Sequence, residues 1–177
     1  MNKILEKIKK YPNHIVLGGN DPSGGMQQNA NELEKLCLFI KENNIKTYTE
    51  IGIAKGLLLK FMKEEMGLIV QGITLEQLPE HENLPVIYGD STKKETIQKA
   101  NFSDLYFIDG DHSYETVKMD YENYKTKCHF MAFHDMLGYR NCEGVLKLWN
   151  DLKKTHQHWE FADSNPGIAS GIGVIKI

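Results

Sequence analysis

The sequence predicts an α/β doubly wound domain: a mostly parallel sheet, helices on both faces and an antiparallel hairpin at the C-terminal edge. Three observations predict it. Short apolar runs alternate with amphipathic segments along most of the chain, the pattern of strands joined by crossover helices. The last two apolar runs, "HWEFADS" and "GIGVIKI", are joined by the loop Asn165 to Ser170 with no helix between them, which suits an edge hairpin. Acidic residues gather where successive strands would end, as expected when a ligand lies beyond the carboxyl ends of the strands.

The elements follow in order. After a short amphipathic start, Gly18 to Gly25 is rich in turn formers and makes no regular element. A helix begins near Asn29 to Asn31, whose side chains can cap it, carries Leu33, Leu36, Cys37 and Ile40 on one face, and ends around Asn43 and Asn44. "TYTEIGIA" reads as a buried strand, and "KGLLLKFMKEEMG" as a helix stopped at Gly67. "LIVQGITLE", "PVIYGDS" and "DLYFIDG" are the next three strands, with the helix "KKETIQKA" between the last two. "YETVKMDYENYKTK" is helical, "FMAFHDM" a fifth strand and "GVLKLWNDLKKTH" a further helix.

At 177 residues the chain suits one domain spanning 1–177, in which 1–28 form an N-terminal helix and an entrance loop. With 41% hydrophobic and 25% charged residues it reads as an ordinary soluble protein. A net charge of −3 and dispersed lysines leave no electrostatic footprint for a nucleic acid, and "KILEKIKK" reads as a solvated helix face. Cys37, Cys128 and Cys142 form no paired motif, which argues against a disulfide framework or a cysteine-based zinc site. There is neither a signal-peptide core nor a membrane-length apolar run, so a cytoplasmic protein is expected.

The strand ends carry the chemistry. "EIGIAKG" places Glu50, Gly52 and Gly56 across a strand-to-helix turn; Gly52 lets backbone approach a ligand, although such spacing also serves strand-helix packing. Glu76 follows at the distance where nucleotide-binding sheets hold a ribose hydroxyl. Asp90 and Ser91 can read a base edge, or can simply turn the chain and cap the next helix. In "DLYFIDGDHSYETVKMDY" a hydrophobic strand runs into Asp109, Asp111 and His112. Carboxylates so close repel one another unless a cation or a substrate sits among them. His134 and Asp135 end the neighbouring strand.

Together, "EIGIAKG", "GITLE", "YGDS", "FIDGDHSYETVKMDY" and "FHDM" resemble, in order and spacing, the class I S-adenosylmethionine-dependent methyltransferases, whose sheet is Rossmann-like. The pattern "IDGDHSYE…V..D…FHD" is similar to a small-molecule O-methyltransferase subgroup that takes in macrocin-type sugar methyltransferases and cephalosporin-hydroxylase-like proteins. The likeness runs from about Gly24 to the C-terminus. It implies that Gly52 and Gly56 border the methionine part of the cofactor, Glu76 the ribose, and Asp90 and Ser91 the adenine. Asp109 would face the sulfonium or a metal. Related metal-dependent enzymes hold magnesium with an acid from the fourth strand end and an acid plus its neighbour from the fifth. That implies Asp109, His134 and Asp135 as ligands from a cluster that includes Asp111. An imidazole would shift the preference from magnesium towards manganese, iron or zinc.

Two departures stand out. Thr74 occupies the usual position of the ribose acid, so Glu76 must take over, and Lys127-Cys128-His129 replaces a glycine turn before the fifth strand. Asp109, His112 and His134 are the candidate catalytic groups, the histidines as general bases. Equally, Asp111 could cap the following helix and His112 orient the loop. Gln27 and Gln28 read as polar loop residues or as the lining of a pocket entrance.

The expected activity is methyl transfer to a hydroxyl of a small molecule or sugar, without a nucleic acid or membrane partner, in a chain that could form a homodimer through its N-terminal helix. A metal-dependent hydroxylase on the same fold and a non-catalytic nucleoside-binding domain are the alternatives.

Overall fold

The computed structural model describes residues 3–11, 26–138, 141–165 and 170–177. The turn-rich stretch Gly18 to Gly25 lies outside them, as do residues 166–169 of the loop between the last two strands. Helix α1 (Lys3–Ile8) seats Ile4 and Ile8 in the core of its own chain, and Tyr11 meets Phe61 edge to face. Helix α2 (Ala30–Glu42) starts where the asparagines predict: Asn29 is the N-cap, its side-chain oxygen accepting from the Asn31 amide at 2.9 Å and the Glu32 amide at 3.3 Å.

Strands β1 (Thr47–Ile51), β2 (Ile69–Thr74) and β3 (Val86–Tyr88) enclose helix α3 (Leu57–Glu64), and helix α4 (Lys94–Lys99) leads to β4 (Ser103–Ile108). Helix α5 (Tyr114–Tyr124) precedes β5 (Cys128–His134), and helix α6 (Glu143–Leu152) precedes β6 (His158–Phe161) and β7 (Ile172–Lys176). The unusual Lys127-Cys128-His129 stretch is one turn of 3-10 helix, Lys125–Lys127, leading straight into β5, so the strand is intact.

The described strands form one sheet in the order β3-β2-β1-β4-β5-β7-β6, parallel up to β5 and antiparallel beyond it. The C-terminal hairpin is present, and β7 rather than β6 is the strand that joins β5. Alternation along β4 shows how the sheet is covered. Leu105 and Phe107 face the cluster built by α1, α2 and α3, while Tyr106 and Ile108 face the one built by α5 and α6, with Trp149 at its centre. The chain leaves β1 for β2 on one side and returns to β4 on the other. The carboxyl ends of β1 and β4 therefore flank the switch point, where such sheets leave a crevice. Among the described residues no helix is long and apolar enough to cross a membrane.

Candidate functional site

The crevice is built on one close approach. The Gly52 amide donates to the Ile73 carbonyl and the Asp109 amide to the Ile51 carbonyl, both at 2.9 Å, so the hydrogen bonding runs one residue past the ends of β1 and β4. Gly52 has φ +86°, and a β-carbon there would stand 2.2 Å from the Asp109 carbonyl oxygen. Only glycine fits both the angle and the contact. The turn continues through Ala54, itself at φ +43°, to Gly56, the N-cap of α3. Buried His81 braces it from outside: its Nδ1 accepts from the Leu78 amide at 3.4 Å, which leaves Nε2–H to donate to the Ala54 carbonyl at 2.7 Å.

The acid-histidine cluster sits beside this turn. Asp109 Oδ1 is 3.0 Å from His134 Nδ1, and Asp109 Oδ2 accepts from Gln28 Nε2 at 2.6 Å. Asp135 Oδ2 lies 3.2 Å from the same His134 nitrogen. His112 Nε2 is 3.6 Å from Asp109 Oδ1 and 3.4 Å from Asp135 Oδ2, and this buried nitrogen has no hydrogen bond of good geometry. Asp135 holds its position with φ +57°, a strained angle for a residue other than glycine and of the kind that collects at functional sites.

Charge in the cluster is strongly coupled. Burial opposes the ionised form of Asp109, but the His134 and His112 imidazoles outweigh it and hold the carboxyl down at about 2. Burial equally opposes a charged His134, yet Asp109 and Asp135 raise its pKa well above the ordinary value. Glu50 is driven the other way: burial and then the neighbouring Asp109 charge push its carboxyl well up, while Tyr48 donates to its Oε2 at 3.2 Å. Burial thus disfavours charge on Glu50 while the imidazoles favour it on Asp109, at adjacent strand ends.

The donor set fits a cation. Ligands at right angles on an ion with bonds of about 2.1 Å stand about 3.0 Å apart, and on a tetrahedral ion about 3.4 Å apart. The separations of 3.0 and 3.2 Å around His134 Nδ1, and of 3.4 and 3.6 Å around His112 Nε2, span that range. Ligand atoms of Asp109, His134 and Asp135 all lie within 4.8 Å of one another, as do those of His112, Asp135 and Cys142.

Asp111 stands apart from this set. It is exposed, and its Oδ1 accepts the Ser113 amide at 2.7 Å, shaping the turn before α5. The cap of α5 is Ser113, whose hydroxyl accepts the Thr116 amide at 3.4 Å, so Asp111 shapes the turn before the cap instead of capping the helix, and it is not among the grouped ligand atoms of Asp109, His134 and Asp135. Gly144, in the first turn of α6, secures the other side of that turn. Its missing side chain lets the helix press on His112 to Tyr114, where a β-carbon would meet the His112 carbonyl oxygen at 2.3 Å.

A small, largely polar cleft opens between the glycine turn and the cluster, lined by Gln27, Gln28, Glu50, Gly52, Ala54 and Asp109 among others. Gln28 is thus part of the site, which its sequence context alone left open. Glu76 is exposed in the loop beyond β2, two residues past Thr74, which ends the strand. Asp90 accepts the amide and the hydroxyl of Thr92, at 2.9 and 2.6 Å, so it turns the chain ahead of α4. The Ser91 carbonyl accepts from the Tyr124 hydroxyl at 2.8 Å, fixing this loop to α5.

No family model and no curated protein matches the sequence. Solved structures do match the fold. A candidate caffeoyl-CoA O-methyltransferase from Staphylococcus aureus is 18% identical with a TM-score of 0.64, the match covering 88% of this chain and 87% of that one. The O-methyltransferase TomG from Streptomyces achromogenes, involved in tomaymycin synthesis and solved with S-adenosylmethionine, is 11% identical, with a TM-score of 0.65 and coverage of 100% and 90%. MycE, a methyltransferase of the mycinamycin biosynthetic pathway solved with magnesium and S-adenosylhomocysteine, gives 14% identity and a TM-score of 0.62; the match covers 99% of this chain and 55% of MycE. The fold is that of the class I methyltransferases. On this methyltransferase fold the Gly52 turn and the Asp109 cluster occupy the crevice at the switch between β1 and β4.

Proposed function

We propose that the chain is an S-adenosylmethionine-dependent O-methyltransferase acting on a hydroxyl of a small molecule or sugar, with a divalent cation at the acid-histidine cluster. One observation carries the reading: the glycine turn that would hold the cofactor touches, through the Asp109 backbone, the residue that would also hold the cation. When bound, S-adenosylmethionine supplies an electrophilic methyl group on a sulfonium. The cation, held by Asp109, His134 and Asp135, supplies Lewis acidity that lowers the pKa of an acceptor hydroxyl.

The protein's own groups divide the remaining work. Gly52 presents bare backbone to the ligand, and burial disfavours a second negative charge at Glu50 beside Asp109. Asp90, Ser91 and Glu76 border the nucleoside end in this reading, Glu76 reaching back from its exposed loop. His134 is almost fully buried and both its ring nitrogens are engaged, which suits a ligand rather than a base. His112, its side chain about one third exposed, is the residue proposed to take the hydroxyl proton. In-line transfer then depends on holding the acceptor oxygen against the methyl carbon.

Two imidazoles beside two carboxylates also resemble the donor set of non-haem iron oxygenases, so an iron-dependent hydroxylase is the second reading. Titration calorimetry with S-adenosylmethionine and S-adenosylhomocysteine, with and without manganese, separates the two. Micromolar binding of both ligands, with the manganese dependence lost in Asp109→Ala, is the expected result. No binding of either ligand, together with oxygen consumption by the iron-loaded protein, would replace this reading with the hydroxylase.

A further inference from the structure

Glu32 lies on α2, far in sequence from every strand end, and is completely buried. Its carboxylate is the hub of the segment that returns to the sheet before β7. Oε1 accepts the Asp163 amide at 2.9 Å, and Oε2 accepts the Gly171 amide at 3.0 Å and the Ser170 hydroxyl at 3.2 Å. The same hydroxyl, itself buried, is 3.2 Å from His134 Nε2. A hydroxyl has one proton to give. A carboxylate can only accept, so Ser170 gives that proton to Glu32 and turns a lone pair towards His134. His134 Nε2 must then carry hydrogen and donate it. The nitrogen left to face Asp109 and Asp135 is Nδ1.

We infer that Glu32, acting through Ser170, is the positioning residue that fixes the ring orientation and tautomer of His134, presenting its Nδ1 lone pair to a cation held by Asp109 and Asp135. The inference rests on the cation site of the proposed function, though not on methyl transfer itself. An outer carboxylate that orients a ligating histidine through its second nitrogen raises metal affinity, and losing such a partner weakens binding by about 10- to 100-fold. The arrangement also links the Asp163 and Gly171 amides to the cluster, because both meet on the carboxylate that reaches His134 through Ser170.

The test uses Ser170→Ala, which removes only the hydroxyl, and Ser170→Thr, which retains it. Zinc affinity is measured by competition titration, and the His134 ring is followed by proton-nitrogen correlation spectroscopy of the zinc-loaded protein, assigned by its loss in His134→Gln. Wild type and Ser170→Thr should show a slowly exchanging Nε2–H on His134. Ser170→Ala should lose that protection and bind zinc 10- to 100-fold more weakly, with thermal stability close to wild type. Glu32→Gln provides a second approach should Ser170→Ala unfold, because an amide offers an acceptor on one side only and one arm of the hub must break. Unchanged zinc affinity and an equally protected Nε2–H in both variants would overturn the inference. S-adenosylhomocysteine titrated in parallel keeps the two questions apart: failure to bind wild type counts against methyl transfer alone, while the ring signal decides the role of Glu32.

Discussion

An added methyl at Gly52 would stand 2.2 Å from the Asp109 carbonyl oxygen, on backbone whose φ of +86° is unfavourable for any β-carbon. Gly52→Ala should therefore cost on the order of 3 kcal/mol of stability, and should abolish cofactor binding even where the fold survives. Denaturant unfolding with a parallel S-adenosylhomocysteine titration checks both, and a variant of wild-type stability that binds normally would contradict the close contact. At this scale the sequence was informative where chemistry and position coincide. Asp109 directly follows β4, His134 ends β5 and Asp135 follows it, and such positions are visible as the polar residues that close apolar runs. Glu32 was hidden for a physical reason: a glutamate within "ANELEKL" looks like the solvated face of a helix, and its partners, the Asp163 and Gly171 amides, lie more than a hundred residues away in sequence. Asp111 misled in the opposite sense, since a carboxylate two residues before a helix cap has a local use for its charge.

Among the elements, α5 carries the least expected feature. Asp120 is buried, and neither carboxylate oxygen has a hydrogen bond of good geometry, although Ser91 lies near enough to ease the cost. Burial is the main cause that lifts its pKa from 3.8 to about 6. The sign follows directly. Between those two values the folded protein keeps a proton that the unfolded chain has released, so stability falls as pH rises through this window and levels off above it. The full shift corresponds to at most about 3 kcal/mol. Asp120→Asn should flatten the pH dependence of unfolding between pH 4 and 6.5, measured by denaturant titration, whereas parallel profiles for the two proteins would contradict the assignment. Strand identities were most legible at β4 and β5, which are covered on both faces and contain the continuous apolar runs "LYFI" and "FMAF". The place of β7 between β5 and β6 was not, because two antiparallel strands after the last helix can join the edge in either order.

For the molecule as a whole, the proposed function rests on topology. The reversal of strand order at β1 and β4 sets a bare glycine turn against an acidic strand end, and β5, next in the sheet, brings His134 and Asp135 to the same place. Glu50, on which burial disfavours charge, anionic Asp109 and an imidazole held between two carboxylates form one coupled unit in which a cation would relieve the repulsion of Asp109 and Asp135. The central claim is that cofactor and cation meet at Asp109. The most direct measurement is a crystal structure of the protein with S-adenosylhomocysteine and manganese, the metal located by its anomalous scattering. The account predicts a single strong anomalous peak about 2.0–2.3 Å from Asp109, Asp135 and His134 Nδ1, with the thioether sulfur beside Gly52. A peak away from these three side chains, or a nucleoside bound elsewhere than the cleft between the β1 and β4 ends, would contradict it.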